Sequence, residues 1–195
     1  MHIIIGLGNP GKEYENTRHN AGRMTVERIH ATHSFSEWSE VKKPKMQTAV
    51  GSIAGVKATL VLPDTFMNKS GAAVAHFIHN KKGAGSVIVL HDDLDIPMGS
   101  FKIAFGRGSG GHNGVESVIR ALKTKDFVRV RIGVAPKTPK GLAKKPIGEE
   151  KVLKFLLGKF SADNLTELKK VFKQVIEAVE TAVSKGHQTA MNHHN

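Results

Sequence analysis

Short apolar runs and longer amphipathic stretches alternate along the chain, and this alternation predicts an α/β protein. The runs at 3–6 and 86–90 are rich in β-branched residues and end at glycine or at polar residues, as buried parallel strands do. Two further runs flank Ala54-Gly55 and predict a hairpin. The predicted strands are 3–6, 46–53, 56–62, 86–90, 99–105 and 128–134.

Helical periodicity separates many of these strands. Asn20 is a favoured N-cap residue type directly before an amphipathic stretch, so a helix is predicted to begin at Ala21. The predicted helices are 21–32, 70–80, 115–122, 149–157 and 161–185. Residues 34–45 are polar, and 135–148 are rich in proline and lysine, so both segments are predicted to be loops.

The order of these elements predicts one domain spanning residues 1–186, because no repeat or interior linker interrupts it. The predicted fold class is α/β, a single three-layer domain with a mixed, mostly parallel twisted sheet flanked by helices. The hydrophobic share of 39% and the length of 195 residues suit one sizeable core. Residues 187–195 are polar and predict a flexible tail.

Cysteine content and the lengths of the apolar runs indicate the cellular compartment. The chain has no cysteine, which excludes disulfides and thiolate chemistry and agrees with a reducing cytosol. No apolar run approaches the roughly 20 residues that a membrane-spanning helix needs. The first apolar run reaches Gly6 too early for the core of a signal peptide. These features predict a cytoplasmic protein with no membrane partner.

The charge distribution predicts a polyanionic partner. Lys and Arg outnumber Asp and Glu by 29 to 17, and the excess lies in the second half: residues 1–98 carry net +2 and residues 99–195 carry net +10. Nucleic acid is favoured over an anionic membrane. Aromatic residues make up only 6%, so contacts to the backbone of a folded or duplex nucleic acid suit the chain better than base stacking. The alternative is a solvated basic face that aids solubility.

Polar motifs follow the predicted strands, and strand ends are where α/β sheets gather their functional residues. These motifs are GLGNPG at 6–11, TRHNAG at 17–22, FMNKSG at 66–71, HDDLD at 91–95 and GGHNG at 110–114. They supply asparagines, histidines and acids, without an obvious serine triad. This set of groups suits attack by water on a carbonyl that is held by amide hydrogen bonds.

His19 is the candidate general base, because an unperturbed pKa near 6.5 suits proton transfer at neutral pH. Asp92 and Asp93 follow a central strand, and a carboxylate bonded to one ring nitrogen would fix the tautomer and leave the other nitrogen free. Adjacent strand residues point to opposite faces, so only one of the two aspartates can do this. The alternative role for His19 is a local hydrogen bond at the start of a helix.

Other patterns at the strand ends have competing interpretations. Gly6, Gly8 and Gly11 have dinucleotide-binding spacing, but Asn9-Pro10-Gly11 favours a turn and no helix is predicted to begin within the motif, which argues against a nucleotide-dependent oxidoreductase. No cofactor is predicted. His91, Asp92, Asp93 and Asp95 are possible metal ligands, but they lack a regular partner spacing, so no metal site is predicted either.

Three asparagines in separate strand-end loops have two possible roles. Asn9, Asn68 and Asn113 could each brace a loop, or could together direct amide groups at a substrate carbonyl or an oxyanion. The sequence alone leaves both roles open.

Taken together, five motifs resemble the bacterial peptidyl-tRNA hydrolase family. They are GLGNPGKEYENTRHNAG, PDTFMNKSG, VLHDDLDIPMG, GRGSGGHNG and RVRIGV, in this order. The resemblance covers residues 3 to about 186. It implies an enzyme that hydrolyses the ester bond between a peptide and the 3′ ribose of tRNA, recycling peptidyl-tRNA that ribosomes drop. The competing hypothesis is a non-catalytic RNA-binding domain of the same fold.

The resemblance also implies roles for individual residues. His19 matches the catalytic base, Asp92 the carboxylate that orients it, and Asn9 the asparagine that distinguishes blocked from free aminoacyl groups. The matching substrate-binding set is Tyr14, Phe66, Met67, Asn68 and Asn113.

A clamp for the tRNA 5′ phosphate is implied as well. Arg131 matches its strand position, but the loop-side lysine of the family is Ala104 here, so Lys102 or Arg107 is expected to replace it. The implied partner is peptidyl-tRNA, bound through its acceptor arm and 3′ end. The enzyme is expected to be a cytoplasmic monomer without an obligate protein partner.

Overall fold

The computed structural model describes residues 1–195, which form seven strands and six helices. The strands are β1 (His2–Gly6), β2 (Ser39–Lys42), β3 (Lys45–Ile53), β4 (Val56–Pro63), β5 (Val87–Pro97), β6 (Phe101–Phe105) and β7 (Val128–Ala135). The helices are α1 (Ala21–Thr32), α2 (Gly71–Ala75), α3 (Asn113–Leu122), α4 (Glu149–Leu157), α5 (Ala162–Lys185) and α6 (His187–His194). None of these helices combines the length and apolar composition that crossing a membrane requires.

All seven strands belong to one mixed sheet in the order β2-β3-β4-β1-β5-β7-β6. The four central strands β4, β1, β5 and β7 are parallel, whereas β2, β3 and β6 pair antiparallel with their neighbours. The predicted mixed sheet is therefore confirmed. Because the central strands are parallel, their carboxyl ends lie along one edge, where the polar motifs after β1 and in β5 come together.

Helices cover both faces of the sheet, as the three-layer prediction requires. Side chains alternate between the faces along each strand. Ile4 and Ile88 belong to an apolar cluster with residues of α1 and α5. Ile3, Ile5 and Val89 belong to a second cluster with residues of α2 and α3. The sheet is thus buried on both sides, which explains why its central strands are almost continuously apolar.

Three predicted boundaries were wrong. The predicted loop 34–45 contains the edge strand β2, whose mainly exposed polar residues give no apolar signal. The predicted helix 70–80 is confined to α2, and Phe77 and Ile78, which follow it, pack on the second cluster. The strand predicted at 86–90 continues as β5 to Pro97, because residues 91–93 go on pairing with β7.

The predicted flexible tail at 187–195 was also wrong, because these residues form α6 and pack against β6. Gly186 separates α5 from α6 with φ 86° and ψ 160°, a conformation suited to glycine. Ala190 is completely buried, and the His187 ring stacks on Phe105 with centroids 4.1 Å apart. The Asn195 side chain accepts a hydrogen bond from the Ile103 N–H at 2.7 Å and donates one to the Ile103 carbonyl at 3.0 Å.

Candidate active site

The predicted contact between His19 and one of the two aspartates is confirmed. His19 lies on a one-turn 3₁₀ helix, Arg18–Asn20, directly before α1, and Asp92 lies in the middle of β5, just after its apolar run. His19 Nδ1 is 2.9 Å from Asp92 Oδ1, and both side chains are almost entirely buried. Asp93 points away from them and accepts a hydrogen bond from Arg131 Nε at 2.7 Å. Strand alternation therefore selects Asp92.

A second histidine contacts the same carboxylate oxygen. His112 Nε2 lies 3.0 Å from Asp92 Oδ1, and the His112 ring centroid is 5.1 Å from that of His19. His112 is also the N-cap of α3, where its Nδ1 accepts hydrogen bonds from the backbone N–H groups of Gly114 and Val115. Because Nδ1 is an acceptor, the proton of a neutral His112 is on Nε2, which donates to Asp92.

Sequence reasoning missed His112 as a site residue, although it lies in the GGHNG motif. The available signal was a polar residue within one turn of the predicted helix 115–122, close to the position of an N-cap. Histidine is not among the residue types preferred there, so the pattern did not point to it.

These contacts determine the protonation of the site. Burial by itself would raise the pKa of Asp92, but His19 and His112 outweigh it and hold the pKa of that carboxyl far below its usual range. Burial likewise works to lower the pKa of His19, but the charge and hydrogen bond of Asp92 outweigh it, so the pKa of His19 is raised above 6.5. The carboxylate therefore stays ionised and holds a proton on His19 Nδ1. The other ring nitrogen, Nε2, has no protein partner and reaches solvent.

Asn9 and Asn20 form a reciprocal pair beside the histidine. The Asn9 N–H donates to Asn20 Oδ1 at 2.8 Å, and Asn20 Nδ2 donates to the Asn9 carbonyl at 2.9 Å. Asn20 was predicted to cap α1, and this was wrong, because its side chain bonds the loop after β1 and makes no cap hydrogen bond. Asn9 Oδ1 in turn accepts from the Met67 N–H at 2.9 Å. The side-chain oxygen of Asn9 is thus hydrogen-bonded within the protein, and its Nδ2 group is free to donate to a ligand.

The structure separates the three predicted asparagines into two kinds. Asn9 is a buried brace, whereas Asn68 and Asn113 are exposed and their side chains make no hydrogen bonds to the protein. Asn113 is the first residue of α3, next to His112, and Asn68 follows Met67 on a 3₁₀ turn.

The other members of the predicted substrate-binding set differ in exposure. Met67 is buried, Tyr14 is half-buried, and Phe66 has 62% of its surface exposed. Phe66 and Met67 are neighbours in the segment after β4. The hydrogen bond from the Met67 N–H to Asn9 fixes the position of this segment relative to the edge of the sheet.

The predicted phosphate-binding residues lie on β6, on β7 and in the loop between β6 and α3. Lys102 is opposite Arg131 in the antiparallel ladder, and Ala104 is opposite Arg129, so all four side chains share one face. Lys102 and Arg107 are exposed. A recess of about 500 Å³ is lined by Arg107, Arg129 and Arg131 together with Met191 of α6 and Asn195.

Arg129 was not singled out by sequence reasoning, yet it lies directly opposite the small Ala104 in the ladder. It is buried, and its Nη1 donates to the Gly108 carbonyl of the glycine-rich loop. Its Nε is buried without a partner. Burial, together with the nearby Arg131 and Arg107 cations, lowers the pKa of Arg129 from its ordinary value.

His19, Asp92 and His112 are the one group of side chains close enough together to suggest a metal site, with ligand atoms within 4.8 Å of one another. The hydrogen bonds of α3 argue against this use. A metal at His112 Nε2 would move the ring proton to Nδ1, where it would face the N–H groups of Gly114 and Val115. The cluster fits a proton-sharing network better than a metal centre.

Comparisons with known proteins agree with this geometry. The sequence profile of the family described as peptidyl-tRNA hydrolase matches residues 3–195. A peptidyl-tRNA hydrolase of Syntrophotalea carbinolica is 37% identical over 100% of this chain and 97% of its own length. That of Bacillus subtilis is 34% identical over 100% and 98%, respectively.

Solved structures are similar as well. The crystal structure of peptidyl-tRNA hydrolase from Acinetobacter baumannii has a TM-score of 0.86 and 31% sequence identity, covering 98% of this chain and 93% of its own. A family profile that spans nearly all residues and full-length relatives above 30% identity lead to one conclusion: the chain belongs to the peptidyl-tRNA hydrolase family.

Proposed function

We propose that this protein hydrolyses the ester bond between a peptide, or an N-blocked aminoacyl group, and the 3′ ribose of tRNA. The reaction releases free tRNA and recycles peptidyl-tRNA that ribosomes drop. The observation that carries the proposal is the His19 imidazole, fixed through Nδ1 by a buried carboxylate while Nε2 reaches solvent. A water molecule next to Nε2 can be deprotonated as it attacks the ester carbonyl.

The proton moves in two steps. His19 Nε2 takes a proton from water as the water oxygen bonds to the carbonyl carbon, and the carbonyl oxygen becomes an oxyanion. When the tetrahedral intermediate collapses, the bond to the ribose oxygen breaks and His19 returns the proton to that oxygen. Asp92 stabilises the transient imidazolium, because its charge lies 2.9 Å from Nδ1. No covalent enzyme intermediate is needed.

Amide groups supply the remaining interactions. Asn9 Nδ2 and the exposed amides of Asn68 and Asn113 are unoccupied by protein partners, so they can donate to the oxyanion or pair with the peptide group of the substrate. A free ammonium in place of the peptide nitrogen would leave these amides unpaired, which favours blocked substrates. Phe66 and Tyr14 supply apolar surface for the substrate side chains.

The basic face formed by Lys102, Arg107, Arg129 and Arg131 is proposed to bind a phosphate of the tRNA acceptor arm. Arg129 is opposite Ala104, which stands where the family has a lysine, and it donates to Gly108 of the glycine-rich loop. The excess positive charge of the second half extends this attraction to the nucleic-acid backbone. We further propose that the enzyme acts as a monomer in the cytoplasm.

A non-catalytic RNA-binding domain of the same fold is the competing function. Such a domain has no need for a buried aspartate that orients two histidines, and burying a charge is unfavourable in itself. The deciding experiment incubates the purified protein with N-acetyl-aminoacyl-tRNA and with free aminoacyl-tRNA. Release of the acyl group from the blocked substrate, and much less from the free one, is expected. Binding without release from either substrate would support the competing function.

The pH dependence of kcat/KM provides an independent prediction. The pKa of His19 is raised, so its protonated, inactive form persists to higher pH than in an ordinary histidine. We therefore expect kcat/KM to increase with pH along a single limb whose midpoint lies above about 6.5. Initial rates on N-acetyl-aminoacyl-tRNA at constant ionic strength across the neutral range measure this midpoint. A midpoint below the ordinary histidine value would contradict the predicted influence of Asp92.

The basic face makes a prediction about salt dependence. Replacing Arg107 and Arg131 by glutamine is expected to raise KM, with a smaller effect on kcat, because these groups bind substrate away from the reacting ester. The slope of log(kcat/KM) against log salt is expected to become shallower by about one unit for each phosphate-binding cation that is removed. The matched control is Arg28→Gln on the exposed side of α1. An unchanged slope in the double variant would place the phosphate elsewhere.

A further inference from the structure

Helix α4 has an unusual attachment to the rest of the molecule. Only Leu156 of this helix is buried, and the helix packs mainly on the 3₁₀ turn that carries His19. The exposed surface of α4 carries Glu149 and Glu150 as well as Lys151 and Lys154, so the charges on this helix balance. An exposed amphipathic helix is therefore mounted directly on the turn that bears the proposed base.

Arg18 makes this attachment. Its Nη1 donates to the carbonyls of Phe155 and Gly158, at 3.2 and 3.0 Å, at the C-terminal end of α4. Its guanidinium also stands over the Phe155 ring, 4.3 Å from the centroid. The Phe155 carbonyl also accepts from the Gly158 N–H, so Arg18 adds a second hydrogen bond to it. A cation at this end of a helix also interacts favourably with the helix dipole.

The backbone on either side strengthens the junction. The Arg18 N–H donates to the Gly158 carbonyl at 3.1 Å, and the Phe160 N–H donates to the Asn16 carbonyl at 2.8 Å. Thr17 and Lys159 form an antiparallel bridge between them. The chain entering the His19 turn is thus paired with the chain leaving α4. Asp92 thus holds the His19 side chain, and this junction holds the backbone of the residues directly before His19.

We propose that Arg18 is a positioning residue that locks α4 to the His19 turn, so that this helix and the general base move as one unit. This inference rests on the proposed function, because it assigns the position of a base. Accurate placement matters, since a displacement of about 1 Å at a reacting group can lower a rate roughly 100-fold. Lysine cannot replace the guanidinium here, because an ammonium has neither the planar fork nor the stacking surface.

The glycine at the junction offers a second way to disturb it without changing charge. A Cβ added to Gly158 would lie 2.8 Å from Arg18 Nη1, so alanine would push the guanidinium away from its carbonyl acceptors. The Gly158 backbone has φ −71° and ψ 141°, which alanine adopts readily. Gly158→Ala therefore tests the contact rather than the charge.

The experiment compares Arg18→Lys and Gly158→Ala with the control Arg28→Lys, using N-acetyl-aminoacyl-tRNA. Thermal unfolding and circular dichroism first establish that each variant is folded at the assay temperature, and rates are normalised to folded protein. We expect kcat of Arg18→Lys to fall at least about tenfold with KM changed less than about threefold, and Gly158→Ala to change in the same direction. The midpoint of the rising pH limb should shift to lower pH in both, because a displaced His19 feels Asp92 less. Arg28→Lys should resemble the wild type.

The possible failures are distinguishable. An inactive wild-type protein would overturn both the proposed function and the role of Arg18. An active wild type, with folded variants that keep its kcat and its pH midpoint, would overturn only the role of Arg18. A decrease in rate that disappears on normalisation to folded protein, with an unchanged pH midpoint, would also overturn it, because it would show that Arg18 contributes to stability alone.

Discussion

Replacing His19 by alanine is expected to lower kcat for N-acetyl-aminoacyl-tRNA hydrolysis by about 10²- to 10⁴-fold, the usual contribution of a positioned general base. The substitution removes the one nitrogen that can take the proton of the attacking water. Binding of tRNA should remain nearly the same, because the proposed phosphate contacts lie on β6, on β7 and in the glycine-rich loop. Single-turnover rates and filter-binding affinities on the same preparations separate the two effects.

His33→Ala is the matched control for this substitution. His33 is a half-buried histidine at the end of α1 that contacts Glu180 at 2.9 Å, away from Asp92. Its rate should stay within a factor of a few of the wild type. If His19→Ala retained a comparable rate, His19 would not be the base. A parallel decrease in tRNA affinity would instead indicate that His19 serves binding.

Replacing Asp92 by asparagine is expected to lower kcat by one to several powers of ten. The carboxylate accepts from His19 and His112 through the same oxygen, and an amide lacks the charge that stabilises the imidazolium. An amide that turns its NH₂ group toward a histidine would also disturb the tautomer. Because Asp92 raises the pKa of His19, the rising limb of the pH profile in this variant should move to lower pH.

Asp93→Asn is the natural comparison, since the neighbouring aspartate contacts Arg131 instead of His19. We expect it to change kcat little and to affect mainly KM, through the freed Arg131. The pH midpoint should remain that of the wild type. If Asp93→Asn reduced activity more than Asp92→Asn, the two aspartates would have exchanged roles.

The sequence was sufficient for the central contact because that contact follows from a simple rule. His19 and Asp92 were each assigned to the same edge of a parallel sheet, and strand alternation then allowed only one of the two aspartates to reach the histidine. The same reasoning predicted the mixed sheet and the three layers, since buried parallel strands leave long apolar runs. These features depend on periodicity and strand direction, which can be read along one chain.

What the sequence did not reveal depends on contacts between distant segments. His112 caps a helix and donates to Asp92, and neither partner can be inferred from the GGHNG motif by itself. Asn20 has the residue type of an N-cap, yet its hydrogen bonds go to Asn9. Arg129 donates to Gly108 in the glycine-rich loop, about twenty residues earlier in the chain. In each case a polar group had several possible partners, and packing of the whole chain selected one.

The docking of Asn195 on β6 has a consequence for how molecules of this protein meet one another. An exposed edge strand presents unpaired backbone N–H and C=O groups, with which a strand of another molecule can pair. Such pairing is a route to aggregation. The carboxamide of Asn195 occupies the N–H and carbonyl of Ile103 as a neighbouring peptide unit would. The Asn195 side chain thereby blocks the middle of β6 from pairing with a strand of another molecule. At the opposite edge of the sheet, β2 carries the charged residues Glu40 and Lys42, which disfavour such pairing.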